Sequence, residues 1–220
     1  MTVHALTTAR APAPVALQRP QDPFEAIGAR QRFDAGEAIY AQEDDADRLY
    51  RVLVGSVRRT RLLEDGRRQV GGFYFPGDFF GLEIGGRHRS SAEALDGAQV
   101  LVIQRSALKY HGEDGARLER MSWLATGLEL QRAEDHMMLL TRKSAFERVS
   151  GFLLEIAAPA RGAWTHLSMS RQDIADYLGL TIETVSRMVT QVQVESLMVF
   201  DGARRFRVLQ GLKRPCLAAA

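Results

Sequence analysis

The first half of the chain alternates short apolar segments with turn-forming residues. Between Phe24 and Gln104, apolar side chains recur at about every second position, which is the period of a half-buried strand. Turn signals separate the segments, as at residues 34–37, at Asp65-Gly66 and at residues 76–78. This pattern predicts an antiparallel barrel or sandwich. The predicted strands include residues 39–40, 49–54, 56–58, 70–74 and 100–103.

The pattern changes to a helical period between Ala116 and Thr141, where apolar residues recur at three- and four-residue steps without a proline. A helix of this length would span about 39 Å, which is more than a small domain needs. It either packs along its own barrel or pairs with its copy in a second subunit. We favour the pair, although Gln131 and Asp135 interrupt one candidate seam. The predicted dimer contacts are Met121, Leu124, Leu128 and Met138.

Residues 171–190 fit a helix-turn-helix. The two helices cross closely, which requires a small residue such as Ala175, and the turn favours a residue that tolerates positive φ, such as Gly179. Ser170 and Asp173 have the spacing of a capping box at the start of the first helix. The remaining positions of the shared core are apolar, as the motif requires: Ile174, Leu178, Leu180, Val185 and Met188.

The second helix of this motif is the predicted DNA-reading element. With Thr181 as its N-cap, its outward face would carry Ile182, Glu183, Ser186 and Arg187. Arg187 can donate two hydrogen bonds to a guanine edge, and Glu183 can accept from a cytosine amine. Ser186 can contact several base edges, and Ile182 can contact a thymine methyl. Glu183 and Arg187 also have the spacing of an ion pair, which would orient the arginine toward a base.

The rest of the C-terminal region completes a compact unit. Asp201-Gly202 lies between alternating apolar runs and predicts a hairpin. Ser196 follows the second helix where a glycine would allow a left-handed C-cap at lower cost. The predicted divisions are a mobile arm at 1–20, a barrel domain at 21–112, a dimerisation helix at 113–144 and a DNA-binding domain at 145–220.

Composition narrows the function classes. The net charge is only +2 and 45% of the residues are apolar, so DNA binding would depend on local placement of arginines. No apolar run is long enough for a membrane span, and no signal peptide is evident, so we expect a cytoplasmic protein. The sequence shows no Gly-rich phosphate loop, Ser/His/Asp grouping or metal-ligand spacing. We therefore expect neither an enzyme nor a metal protein.

On these motifs the chain resembles the Crp/Fnr superfamily of bacterial transcription factors. The resemblance covers Phe33 to Leu209 and includes Phe33-Asp34-Ala35-Gly36-Glu37, Phe75-Pro76-Gly77-Asp78 and the run from Leu178 to Arg187. That last run looks most like the Fnr and FixK branches, in which Glu-x-x-Ser-Arg reads an inverted repeat of TTGA type.

The resemblance implies an α+β fold with three parts. They are an N-terminal cyclic-nucleotide-binding-like β-roll, a long dimerisation helix and a C-terminal winged helix-turn-helix. It also implies a homodimer that binds double-stranded DNA and contacts RNA polymerase. Ser170, Gln172 and Thr184 would then contact DNA phosphates.

Departures from the family pattern argue against a small effector. Gly81 is followed by Leu82, so Glu83 is displaced from the position that holds the ribose in members that bind cyclic AMP. The N-terminal region has no cysteine cluster for oxygen sensing. His88 and His111 are candidate haem ligands, but we expect both in solvated loops. We therefore expect no cofactor.

What remains looks like the FixK type, an activator of genes for low-oxygen respiration, nitrogen fixation or denitrification. One alternative is a ligand- or haem-gated member of the same family. A second is an enzyme-regulatory module without DNA binding, which the helix-turn-helix pattern argues against.

Cys216 is the single cysteine, and it follows Lys213-Arg214-Pro215. The two basic neighbours favour a thiolate, so Cys216 is a candidate redox switch close to the DNA-binding domain. The alternative is an inert tail thiol.

Overall fold

The computed structural model describes residues 23–83, 86–106, 112–142 and 144–209. Its N-terminal elements are α1 (Pro23–Ile27), β1 (Ala29–Phe33), β2 (Ala38–Tyr40), β3 (Arg48–Val54), β4 (Val57–Leu62), β5 (Arg68–Tyr74), β6 (Phe79–Phe80), β7 (Ser91–Ala94) and β8 (Ala98–Gln104). Its later elements are α2 (Gly112–Arg142), α3 (Ala145–Ala157), a 3-10 turn (Ala158–Ala160), β9 (Thr165–His166), α4 (Arg171–Leu178), α5 (Ile182–Val194), β10 (Met198–Asp201) and β11 (Arg205–Val208).

The N-terminal strands form a β-roll of two antiparallel four-stranded sheets. One sheet has the order β1-β8-β3-β6 and the other β2-β7-β4-β5. Val52 and Val100 from the first sheet pack against Val57 from the second, so the core lies between the sheets. Gly55 makes the turn between β3 and β4 with φ of 81°, and a Cβ there would lie 2.5 Å from the carbonyl oxygen of Gly97. The predicted antiparallel barrel or sandwich is thus confirmed as two packed sheets.

The long helix α2 leaves the β-roll and runs to the DNA-binding unit. It begins at Gly112, four residues before the predicted start at Ala116. Leu118 is fully buried and packs with Phe24, Leu101 and Ile103, which attaches the first turns of α2 to β8.

The C-terminal unit is a winged helix-turn-helix. Its core is formed by α3, α4, α5 and a small sheet with the order β10-β11-β9. Helix α3 begins with a capping box between Ser144 and Glu147. The predicted hairpin is observed, because β10 and β11 pair antiparallel on either side of Gly202, whose φ is 68°. The described residues have the predicted α+β fold.

Candidate DNA-binding site

The turn between α4 and α5 has the geometry that the motif requires. Gly179 is left-handed, with φ of 62°, and ends α4. Ala175 is fully buried where the helices cross, and its carbonyl accepts a hydrogen bond from the Leu180 N–H at 3.0 Å. Ile174 and Val185 are fully buried beside it. The two helices therefore form one rigid unit whose geometry follows from local sequence.

The predicted base-contacting residues lie on the exposed face of α5. Thr181 caps the helix by accepting from the Thr184 N–H at 3.3 Å. Ile182, Glu183, Ser186 and Arg187 are all exposed. The Ser186 hydroxyl donates to the carbonyl of Ile182 at 2.8 Å, so its proton is already engaged and its free lone pairs make it an acceptor.

The expected ion pair between Glu183 and Arg187 is not formed among the described residues, and that part of the prediction is wrong. The Arg187 guanidinium instead donates to the Thr184 hydroxyl at 3.4 Å. Glu183 lies in the first turn, where hydrogen bonds from its own N–H and from Thr181 lower its pKa. The free N–H groups at the helix N-terminus attract this carboxylate more effectively than a flexible arginine one turn away.

The predicted phosphate contacts differ in the donors they still have. Ser170 donates both its hydroxyl, at 2.7 Å, and its N–H, at 2.9 Å, to Asp173. The Gln172 amide donates to Asp176 at 2.6 Å and retains a second N–H. The Thr184 hydroxyl lies 3.1 Å from that of Thr181. Gln172 is therefore the best placed of the three to donate to a phosphate.

The hairpin carries basic residues that the sequence analysis did not single out. Arg205 and Arg207 alternate along β11 and lie over the ring of Trp164, at 4.9 and 5.2 Å from its centroid. A tryptophan face attracts guanidinium groups and restricts their rotamers. The alternation of the two arginines after the predicted Asp-Gly turn could have indicated a basic face on the hairpin. Their contact with Trp164 could not have been predicted, because it depends on the pairing of β9 with β11.

The interior of the β-roll contains an aromatic stack. His88 is fully buried and lies on Tyr40, with ring centroids 3.6 Å apart. Its Nδ1 is 3.2 Å from a Glu83 oxygen. The expectation that His88 lies in a solvated loop is therefore wrong. The segment is held against the β-roll by the bridge between Asp45 and Arg87 and by the hydrogen bond from the His88 N–H to the Asp44 carbonyl at 2.8 Å. Tyr50 and Phe80 continue the stack.

Helix α2 closes one side of this interior through Glu129. The Glu129 carboxylate pairs with Arg59 of β4 at 2.7 Å and accepts from the Tyr74 hydroxyl at 2.9 Å. Burial raises the pKa of Tyr74 far above its usual range, so this hydroxyl stays protonated and remains a donor. Arg89, an arginine close to His88 in the sequence, is exposed.

The outer face of α2 is apolar. Leu124 and Leu128 are 70% and 57% exposed and line a groove of about 190 Å³ with Met121. Met121 also packs partly against its own β-roll, and Met138 is exposed nearer the end of the helix. A second exposed stripe was missed in the sequence: Trp123, Leu130 and Met137, which recur at every seventh residue.

Other predicted features fall outside this description. Cys216, His111 and the arm at 1–20 are not among the described residues. Within the described ranges, no group of three His, Cys, Asp or Glu side chains has the arrangement of a metal site. None of the helices in that part of the chain combines the length and apolar character of a membrane span.

Comparison with known proteins agrees with this architecture. Residues 30–110 match the cyclic nucleotide-binding domain, and residues 167–198 match bacterial regulatory proteins of the crp family. The nitrogen fixation regulation protein FixK of Bradyrhizobium diazoefficiens is 46% identical, over 77% of this chain and 74% of its own. The FixK protein of Azorhizobium caulinodans is 40% identical, over 85% of this chain and 78% of its own. The structure of FixK2 from Bradyrhizobium japonicum has a TM-score of 0.76 at 44% identity, and covers 83% of this chain and 92% of that one.

The chain therefore belongs to the Crp/Fnr family of DNA-binding transcription regulators. Within that family it is similar to the FixK proteins, and the predicted resemblance is confirmed. A transcriptional activatory protein, AadR of Rhodopseudomonas palustris, is 41% identical over 90% of this chain and 84% of its own.

Proposed function

We propose that this protein is a cytoplasmic FixK-type activator that binds a TTGA-type palindrome as a homodimer without a small effector. Its targets would be genes for low-oxygen respiration, nitrogen fixation or denitrification, where it would contact RNA polymerase. Similarity to the nitrogen fixation regulation proteins FixK supports this choice of targets. The observation that carries the proposal is the exposed face of α5, where Ile182, Glu183, Ser186 and Arg187 lie together on a rigid helix-turn-helix.

The absence of an effector is supported by the contents of the β-roll. Tyr40, Tyr50, Phe80 and His88 occupy its core as a packed stack. On the side of α2, the carboxylate of Glu129 already pairs with the guanidinium of Arg59 in β4. The protein thus makes within its own chain the kind of charge contact that a bound anion would make.

Homodimerisation is supported by the outer face of α2. Exposed apolar side chains continue along several turns of the helix, which is unusual for a surface in contact with water. Pairing of two such helices would cover them and would place two copies of α5 on one face of a DNA duplex.

A direct test measures DNA binding by the purified protein with no added ligand. We expect tight binding to a TTGA palindrome, a weaker complex with a half-site and little discrimination between scrambled duplexes. Genome-wide occupancy under oxygen-replete and oxygen-limited growth then identifies the targets. Failure to distinguish the palindrome from a scrambled duplex would contradict the proposed site.

A ligand-gated regulator is the second candidate, and one observation favours it. The Tyr40 hydroxyl and the Nε2 atom of His88 are buried without a hydrogen-bond partner among the described residues. Buried polar atoms usually have a partner. Absorption spectra after haem addition and thermal melts with cyclic nucleotides separate the two candidates, because only a gated regulator changes its melting temperature and DNA affinity.

A further inference from the structure

The β-roll and the DNA-binding unit are joined by an ion-pair network. The guanidinium of Arg58 in β4 lies 2.5 Å from one carboxylate oxygen of Asp173 in α4. Arg68 of β5 lies 2.9 Å from the same Asp173 oxygen and 2.7 Å from Asp176. The Asp173 side chain is only 3% exposed. We name these four residues, Arg58, Arg68, Asp173 and Asp176, the docking network.

The two carboxylates of this network also hold the side chains proposed to face DNA phosphates. Asp173 accepts from Ser170 and closes the capping box, and Asp176 accepts from Gln172 at 2.6 Å. A phosphate that approaches Gln172 would therefore meet two acidic groups within one turn of helix. Without compensation, these groups would repel it.

The compensation comes from the β-roll: Arg58 and Arg68 both pair with Asp173, and among the described residues Arg68 alone pairs with Asp176. Arg58 shares its charge with Glu93, at 2.6 Å. Among the described residues, Arg68 forms ion pairs only with Asp173 and Asp176. Both partners are therefore ion-paired with a residue that lies more than 100 positions earlier in the chain.

We propose that Arg68 is a positioning residue for DNA binding, which neutralises Asp176 and, together with Arg58, offsets the charge of Asp173, so that the phosphate backbone can approach Gln172. This inference rests on the proposed phosphate contact of α4. Arg68 acts through the two carboxylates and does not itself contact DNA. The DNA affinity of the helix-turn-helix consequently depends on its docking to the β-roll. The β-roll thus contributes to DNA binding without any ligand.

Apolar contacts hold the docked arrangement independently of these charges. Phe73 of β5 contacts Tyr177 of α4, with ring centroids 5.2 Å apart, and also contacts Phe152 of α3. Asp96 lies in the loop between β7 and β8, and its carboxylate accepts a hydrogen bond from the Ser168 hydroxyl at 2.7 Å. Neutral substitutions at Arg68 or Asp176 should therefore leave the two units packed together.

The test is a double-mutant cycle with Arg68→Gln and Asp176→Asn, measured as affinity for a TTGA palindrome at several salt concentrations. We expect Arg68→Gln to weaken binding roughly tenfold, the size of one partly screened charge interaction. The double variant should regain most of this loss, because no unpaired carboxylate remains at Asp176. Asp176→Asn alone should bind at least as tightly as the wild type.

Two further variants complete the design. Arg68→Lys keeps the charge and should retain most of the affinity. Arg67→Gln is the matched control, because Arg67 is adjacent but pairs with the exposed Asp65 and should have no effect. The dependence of log affinity on log salt should keep its slope in Arg68→Gln, since no phosphate contact is removed.

Distinct results would overturn the inference. A loss that Asp176→Asn does not restore, with a shallower salt slope, would mean that Arg68 contacts phosphate directly. Tighter binding by Arg68→Gln would mean that docking inhibits DNA binding. Should Arg68→Gln fail to fold, weaker binding by Asp176→Asn alone still contradicts the proposal. Failure of the wild type to select any palindrome would instead contradict the proposed function.

Discussion

At the scale of single residues, the features that depend on near neighbours in the sequence were predictable. Ser170, Asp173, Thr181 and Gly179 have the capping and turn roles that their spacing indicated. The pair between Glu183 and Arg187 was not correctly predicted, because spacing alone does not rank competing partners. The N–H groups of the first turn and the Thr184 hydroxyl are nearer alternatives for the two side chains.

Arg187→Ala should relax base recognition. Loss of a bidentate contact to guanine should cost about 1–3 kcal/mol of discrimination at one base pair of each half-site. The measurement is competition binding with a set of single-base variants of the palindrome. Arg117→Ala serves as control, because Arg117 is an exposed arginine near the start of α2. Unchanged discrimination in Arg187→Ala would mean that α5 docks in another orientation.

Glu183→Ala should relax the preference at a different base pair, the one that carries the cytosine amine. Because Glu183 is not paired with Arg187 in the free protein, the two substitutions should be nearly additive in the same competition assay. Glu195→Ala, at the far end of α5, is the control. Strong coupling between Glu183→Ala and Arg187→Ala would instead show that the pair forms on DNA.

At the scale of elements, the end of α5 shows how the chain accommodates an unfavourable residue. The helix ends at Val194, and the left-handed residue that follows its C-cap is Ser196, with φ of 55°. The Leu197 N–H donates to the carbonyl of Val192 at 3.0 Å, which satisfies the end of the helix. The hairpin of β10 and β11 keeps a regular register after this turn. The fold therefore tolerates the steric cost of a serine side chain in the left-handed conformation.

Ser196→Gly should therefore stabilise the protein by about 1 kcal/mol, because glycine reaches this conformation without the steric cost. Ser196 is exposed, so little else is removed. Urea unfolding measures the change. Ser122→Gly, inside α2, is the control and should destabilise by about 0.5 kcal/mol, because glycine has a lower helix propensity than serine. A less stable Ser196→Gly variant would show that the serine side chain has a stabilising contact.

The capping box of α4 predicts a pH dependence. Burial by itself would raise the pKa of Asp173, but hydrogen bonds from Ser170 and the charges of Arg58 and Arg68 hold it below its usual value. Its contribution to stability is then complete above the unfolded pKa of about 3.9 and is lost as pH falls through the folded pKa. Asp173→Asn should be less stable than the wild type at pH 7, and the difference should shrink in acid. A constant difference would contradict this linkage.

At the scale of the whole molecule, the order of elements was predictable and their mutual packing was not. Hydrophobic periodicity indicated the β-roll strands, the long helix and the helix-turn-helix, since each pattern is local. Burial of His88, the contact of Glu129 with Arg59 and the docking of Arg68 on Asp176 join distant parts of the chain. No spacing rule relates such residues, so only the folded chain brings them together.

The same limit applies to the proposed dimer, whose seam is tested by Leu128→Glu. Leu128 is 57% exposed on the apolar face of α2 and lines its groove. In a symmetric pair, the substitution would bury two like charges across the seam, a strongly unfavourable arrangement. Sedimentation should then show more monomer, and DNA affinity should fall because two half-sites are read together. Leu62→Glu is the matched control, since Leu62 is equally exposed at the end of β4. An intact Leu128→Glu dimer would move the seam to the stripe of Trp123, Leu130 and Met137.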